Sequence, residues 1–124
     1  MTQDNKLTGM SVEQLAERFL DITVQQHHAE MDDDNSLYNQ VYGRMRAVED
    51  ELKSRPGDQR RVLLPLYNHP KAQVRLMAAV ATLAIAPEAA REVLQIISDR
   101  DEYPQAADAR GIMRDLDAGR FIVT

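Results

Sequence analysis

Three groups of residues in this chain of 124 carry side chains that could do chemistry. The first is His27-His28 with Glu30 and Asp32-Asp33-Asp34, imidazoles and carboxylates of the kinds that bind divalent cations. On a helix, adjacent residues point about 100° apart, so His27 and His28 face different sides. Three consecutive aspartates also lack the alternating oxygen ligands and central glycine of a calcium loop. The run reads as a helix end followed by an acidic cap, and no metal is assigned to it. The second group is His69, just before Pro70. Imidazole can serve as a general base, but nothing nearby is placed as a nucleophile, so His69 reads as a turn or capping residue. The third is the basic run Arg44, Arg46, Lys53, Arg55, Arg60 and Arg61, preceded by Tyr38 and Tyr42. Guanidinium forks and phenol rings are enriched at protein interfaces, and concentrated bases bind phosphate backbones. No phosphate-cradling loop and no cofactor motif accompanies these groups, so no catalytic residue and no cofactor is assigned.

Charge is divided unevenly between these groups. The net charge is −5, with a pI near 5.1. Residues 11–34 hold seven acids against the single base Arg18, whereas residues 44–61 hold six bases against Glu49, Asp50, Glu51 and Asp58. An acidic chain is a poor general binder of nucleic acid. The local reversal fits either a solvated helix face or a polarised surface that meets a protein partner. With no cysteines, disulfides and thiolate metal sites are excluded. The N-terminal residues lack a charged segment followed by an apolar run, and the apolar run Leu76–Ala86 is too short for a bilayer. A cytoplasmic protein with no membrane contact is the expectation.

The elements that must position these residues read as helices throughout. Residues 1–10 form a polar lead-in coil. Ser11 with Gln14 is a capping-box signature for a first helix running to about His28, with Leu15, Phe19 and Ile22 on one face. Asp32 to Ser36 offers N-caps for a second helix that turns Leu37, Val41, Met45, Val48 and Leu52 inward. Pro56-Gly57-Asp58 ends it. A third helix over about 58–67 carries Pro65, which lacks an N–H and crowds the Arg61 carbonyl, so a bend or early stop is expected. Residues 70–85 then form a central helix with Pro70 in its first turn and almost no polar face, which requires cover on several sides. Pro87 and Pro104 open a fifth and a sixth helix, the sixth ended by Gly119. Residues 119–124 are an apolar tail that either folds back or docks onto a second copy, giving a possible homodimer.

An internal match joins the later helices. Leu63, Leu64, Val74, Ala78, Ala79 and Leu83 fall against Ile96, Ile97, Ala107, Gly111, Ile112 and Leu116 at an offset of about 33. Periods of this size mean stacked helix pairs. Leu64, Leu66, Asn68, Pro70, Val74, Arg75, Ala78, Ala79 and Leu83 resemble a HEAT-repeat unit. More narrowly, Leu63 through Pro65, Asn68-His69-Pro70, Val74-Arg75-Leu76 and Ala84-Ile85-Ala86-Pro87-Glu88 resemble a small bacterial family, the domain of unknown function numbered two-thousand-nineteen. That resemblance implies an all-α fold, a HEAT-like α–α superhelix of about six helices in stacked antiparallel pairs, and implies no activity. Asn68 stands where HEAT units usually have aspartate, and Ala107-Asp108 replaces the second Val-Arg pair. Asn68 and Arg75 are read as structural residues between repeats, Arg75 bonding a turn carboxylate or carbonyl.

The chain thus reads as one helical-repeat domain over residues 1–124, expected to act as a non-catalytic protein-interaction module. Arg44, Arg46, Arg60, Arg61, Tyr38 and Tyr42 are its candidate partner-binding residues. Tyr38, Tyr42, Tyr67 and Tyr103 also fit plain core-edge positions. The alternative is a helical-repeat protein that binds nucleic acid through the basic 44–61 face; a small enzyme, the third class, has no coherent set of residues behind it.

Overall fold

Ser11 starts the first helix with bonds in both directions. Its hydroxyl accepts the Gln14 N–H at 3.1 Å, and the Gln14 side-chain oxygen accepts the Ser11 N–H at 2.8 Å, so two helix-start donors are satisfied at once. The computed structural model describes residues 7–124. It contains α1 (Val12–Met31), α2 (Asn35–Ser54), a 3-10 helix η1 (Gln59–Asn68), α3 (Ala72–Thr82), α4 (Pro87–Asp99) and α5 (Gln105–Asp117). Among the described residues there is no strand, and the class is all-α. None of these helices is long and apolar enough to cross a membrane. Contacts divide the chain after Val62 into two compact units.

In the first unit α1 and α2 pack on each other. Leu15, Phe19, Ile22 and Ala29 of α1 are buried, as are Val41, Met45, Val48 and Leu52 of α2, at the three- and four-residue spacing of a helix face. Leu37 is exposed rather than inward, because it lies in the first turn of α2 at the edge of that stripe. Of the expected lead-in coil, residues 1–6 lie outside the described residues, and Leu7 and Thr8 are helical, with Leu7 buried. Arg55 holds this stretch: its Nη2 donates to the carbonyls of Leu7 at 3.0 Å and Met10 at 2.8 Å, and its Nε donates to Glu51 at 2.6 Å.

Pro65 decides the form of the next segment. An α-helix there would need an N–H at position 65 and room at the carbonyl four residues back, and proline offers neither. Residues 59–68 take the tighter 3-10 winding instead, unusually long for that form, with Leu63 buried and Val62, Leu64 and Leu66 half-buried.

The second unit is organised around α4, which packs against both α3 and α5, while α3 also touches α5. Eight of the eleven residues of α3 are buried. The helix is shorter than the sequence suggests. It begins after Pro70 rather than with it, since Lys71 is the N-cap and provides no side-chain bond. The ring of His69 supplies one, its Nδ1 accepting the Lys71 N–H at 3.1 Å. Two buried glutamines, Gln73 and Gln105, join α3 to α5 through a 3.0 Å bond from the Gln105 amide to the Gln73 oxygen.

Three helices end in the same way. After α1, Asp33 and Asp34 donate back to the carbonyls of Glu30 (3.1 Å) and Ala29 (2.9 Å). After α4, Asp101 and Glu102 donate to Ser98 (3.1 Å) and Ile97 (3.3 Å), and after α5, Gly119 and Arg120 donate to Leu116 (3.2 Å) and Asp115 (2.8 Å). This crossed pair of bonds is the Schellman motif, which needs positive φ at its central residue. Gly119 adopts φ 74° freely, but Asp33 and Asp101 sit at φ 56° and 52°, where a Cβ is unfavourable. Asp33→Gly should therefore stabilise the fold by about 0.5–1 kcal/mol, raising Tm by about 2–4 °C. A lower Tm in thermal denaturation would show that the aspartate holds this turn by something besides its backbone.

Candidate interaction surfaces

Arg75 is the one charged residue of α3, and its guanidinium reaches two turns of the second unit. Its Nε donates to the His69 carbonyl at 2.7 Å and its Nη2 to the Pro70 carbonyl at 3.2 Å. Its two Nη groups also grip both oxygens of Glu102, each at 2.7 Å. One side chain thus ties the turn before α3 to the turn after α4. The Arg75 side chain is only 11% exposed, and the fork-on-fork bond holds the Glu102 carboxyl below the usual carboxylate range. Asn68, expected with Arg75 as a structural residue between repeats, is exposed and lines the same cleft, while the bonds of Arg75 go to His69, Pro70 and Glu102.

Arg110 performs a related task that sequence spacing hid, since it lies two residues beyond the position matching Arg75. From α5 it donates to the Ser98 hydroxyl (2.8 Å), the Ser98 carbonyl (2.7 Å), Asp101 (2.6 Å) and the Tyr103 hydroxyl, and its guanidinium stacks 5.3 Å from the Tyr103 ring centre. Tyr103 is therefore committed to this turn.

The bases of 44–61 do not share one face. Arg44 and Arg46 stand about 160° apart around α2. Arg44 lines a cleft of about 330 Å³ with Glu17, Arg18 and Asp21 of α1, and Arg46 lines another, of about 480 Å³, with Thr8, Gly43 and Asp50. Arg60 is 4% exposed and is not a surface residue. Its Nε and Nη2 grip Asp58 at 2.9 and 2.7 Å, which pulls the Asp58 carboxyl below its ordinary range. The reason lies in the turn: Gly57 and Asp58 both adopt positive φ and fold the Asp58 carboxylate onto the η1 start. Arg61 is exposed. Tyr42 is 41% exposed and Tyr38 half-buried. Glu49, buried one turn beyond Met45, escaped the sequence reading; burial, opposed in part by Arg46, pushes its carboxyl up.

His27 and His28 meet edge to face, ring centres 5.9 Å apart. Asp33 forms the turn after α1, and the Asp34 carboxylate caps α2 by accepting the Leu37 N–H at 3.0 Å. Among the described residues no group of three or more histidines and carboxylates is placed to hold a metal ion. Beyond α5, Phe121 is half-buried, whereas Ile122 is 80% exposed and Val123 is exposed too, so the end of the tail is not covered by α5.

Residues 13–117 match the family described as a domain of unknown function, DUF2019, and the chain belongs to that family. It is also similar to the crystal structure of the protein RPA1889 from Rhodopseudomonas palustris CGA009, at 42% identity. That alignment covers 95% of this chain and 98% of the other, with a TM-score of 0.92. No protein of curated function matches the chain.

Two titrations follow from these pairs. Glu102 has a lowered folded-state pKa, so its contribution is present above the unfolded value near 4.3 and is lost as pH falls through the folded value. Glu102→Gln should cost about 1–2 kcal/mol at pH 7 and flatten the acid limb of a stability–pH curve; an unchanged curve would mean the pair contributes nothing. Glu49 has the opposite sign. Its charged form is disfavoured by folding, a cost present above its raised folded-state pKa and absent below about pH 4. Glu49→Gln should be more stable than the parent at pH 7 by urea denaturation and equal to it below pH 4. A Gln variant less stable at neutral pH would show that Arg46 and Arg60 more than offset the burial.

Proposed function

We propose that this chain is a non-catalytic protein-interaction module that meets its partner through one flank of α2. The observation that supports this reading is Tyr42, an exposed aromatic in helical register with Tyr38, Arg46 and Lys53. At i, i+4, i+8 and i+15 these side chains share one flank beside the buried stripe. Tyrosine and arginine carry much of the binding energy at protein interfaces, because rigid amphipathic groups lose little entropy on docking. By contrast, Arg55, Arg60, Arg75 and Arg110 are occupied with turns and carbonyls of the scaffold. Arg44 lies on the other flank and Arg61 on η1, so neither extends this surface into the broad basic face that nucleic acid would need. Ile122 and Val123 give the chain a separate apolar element that a second copy could cover.

Capture from lysate on immobilised protein, compared between the parent and two variants, tests the reading. Tyr42→Asp and Arg46→Gln should each lose a protein that the parent retains, lowering its recovery at least tenfold; the thermal melt of Tyr42→Asp stays within about 1 kcal/mol because Tyr42 is exposed, and that of Arg46→Gln falls only by the support its charge gives the buried Glu49. Equal recovery on all three proteins would remove this flank as the binding surface.

A further inference from the structure

We propose that the cleft between the 67–70 turn and α4 in the second unit is a docking site for an acidic peptide segment that presents a carboxylate next to an apolar side chain. The cleft has a volume of about 470 Å³. One wall is Val93 and Ile96 of α4, continued by Arg100 at the C-cap of that helix. Ile96 is 38% exposed there, a large apolar side chain left in water on a helix whose neighbours Leu94 and Ile97 are fully buried. The opposite wall is the turn, with Tyr67, Asn68 and His69, and the Arg75–Glu102 pair also lines the cleft.

The polar groups left over choose the occupant. Both Glu102 oxygens are taken by Arg75, so the acid in the lining is already neutralised. His69 Nδ1 accepts a backbone N–H, which fixes the neutral ring as the tautomer with its proton on Nε2, a donor. Asn68 contributes an exposed amide, and Arg100 an exposed guanidinium that forms no ion pair among the described residues. Donors and a second guanidinium, Arg100, which shares the attraction of Glu102 with Arg75, therefore stand beside an apolar shelf, and the two arginines outweigh the one carboxylate of the lining. A carboxylate can accept from Arg100 and His69 while the adjoining aliphatic group covers Ile96 and Val93.

The proposal shares with the preceding section only the premise that the chain binds proteins, and its test uses a different unit. The probe is a peptide labelled at its N-terminus, fluorescein-Gly-Gly-Glu-Leu-Glu-Leu-Glu-amide, titrated with the full chain and followed by anisotropy. Saturable binding is expected, at least tenfold weaker with Arg100→Glu and with Ile96→Asp, and at least tenfold weaker for the peptide with Gln in place of Glu. Binding to Tyr42→Asp should be unchanged, which separates this site from the α2 flank. Absence of binding at millimolar protein, equal binding of the Gln peptide, or full binding by Arg100→Glu would each overturn the proposal. So would displacement of the peptide by an equimolar single-stranded oligonucleotide, which would assign the donors to phosphate.

Discussion

A buried helix must be joined to its neighbours by turns whose carbonyls no longer have helical partners, and in this protein guanidinium groups satisfy them. Arg75 is the centre of that arrangement. It reaches the carbonyls of His69 and Pro70 and the carboxylate of Glu102, so the entry to α3 and the exit from α4 share one side chain. Arg110 serves the exit from α4 from the α5 side, and Arg55 serves the stretch before α1. An arginine can do this where lysine could not, because five donors in a rigid fork meet several acceptors at fixed angles.

The same arrangement bears on where function can lie. An arginine with its donors committed to scaffold carbonyls is a poor anchor for a partner, since binding would have to break bonds already made in a partly buried setting. Arg60 shows the point: it belongs to the basic run by sequence, but its fork closes on Asp58 and it leaves the surface. What remains available is narrower than the charge pattern suggests. The tyrosine flank of α2 in the first unit and the cleft beside the 67–70 turn in the second are two places where exposed side chains lie outside these turn-holding bonds.

Much of the fold was legible because it follows from short-range rules. The Ser11–Gln14 box, the inward stripe Val41, Met45, Val48 and Leu52, Pro87 at a helix start and Gly119 at a helix end each depend on residues within one or two turns. The misses also have physical causes. Pro65 signalled a disturbance, but the sequence could not say that ten residues would wind as a 3-10 helix around it. Asp33 and Asp101 adopt positive φ because the Schellman bonds outweigh an unfavourable Cβ, a local balance at the helix end that residue type alone does not reveal. The Gln73–Gln105 bond and the turn contacts of Arg110 join residues whose meeting depends on how α3, α4 and α5 pack. For the candidate site, residue type pointed to the tyrosines and arginines, but only side-chain bonds could separate those that hold turns from those that face water.

The Arg75–Glu102 pair couples two turns and is more than a surface ion pair. A double-mutant cycle with Arg75→Met, Glu102→Gln and the combined variant, measured by urea denaturation at pH 7, tests it directly. A coupling free energy of about 1.5–3 kcal/mol is expected, as for a bidentate hydrogen-bonded pair of charged groups of which one is nearly buried and the other part-exposed. A coupling below about 0.5 kcal/mol, the value of an ordinary exposed pair, would contradict it.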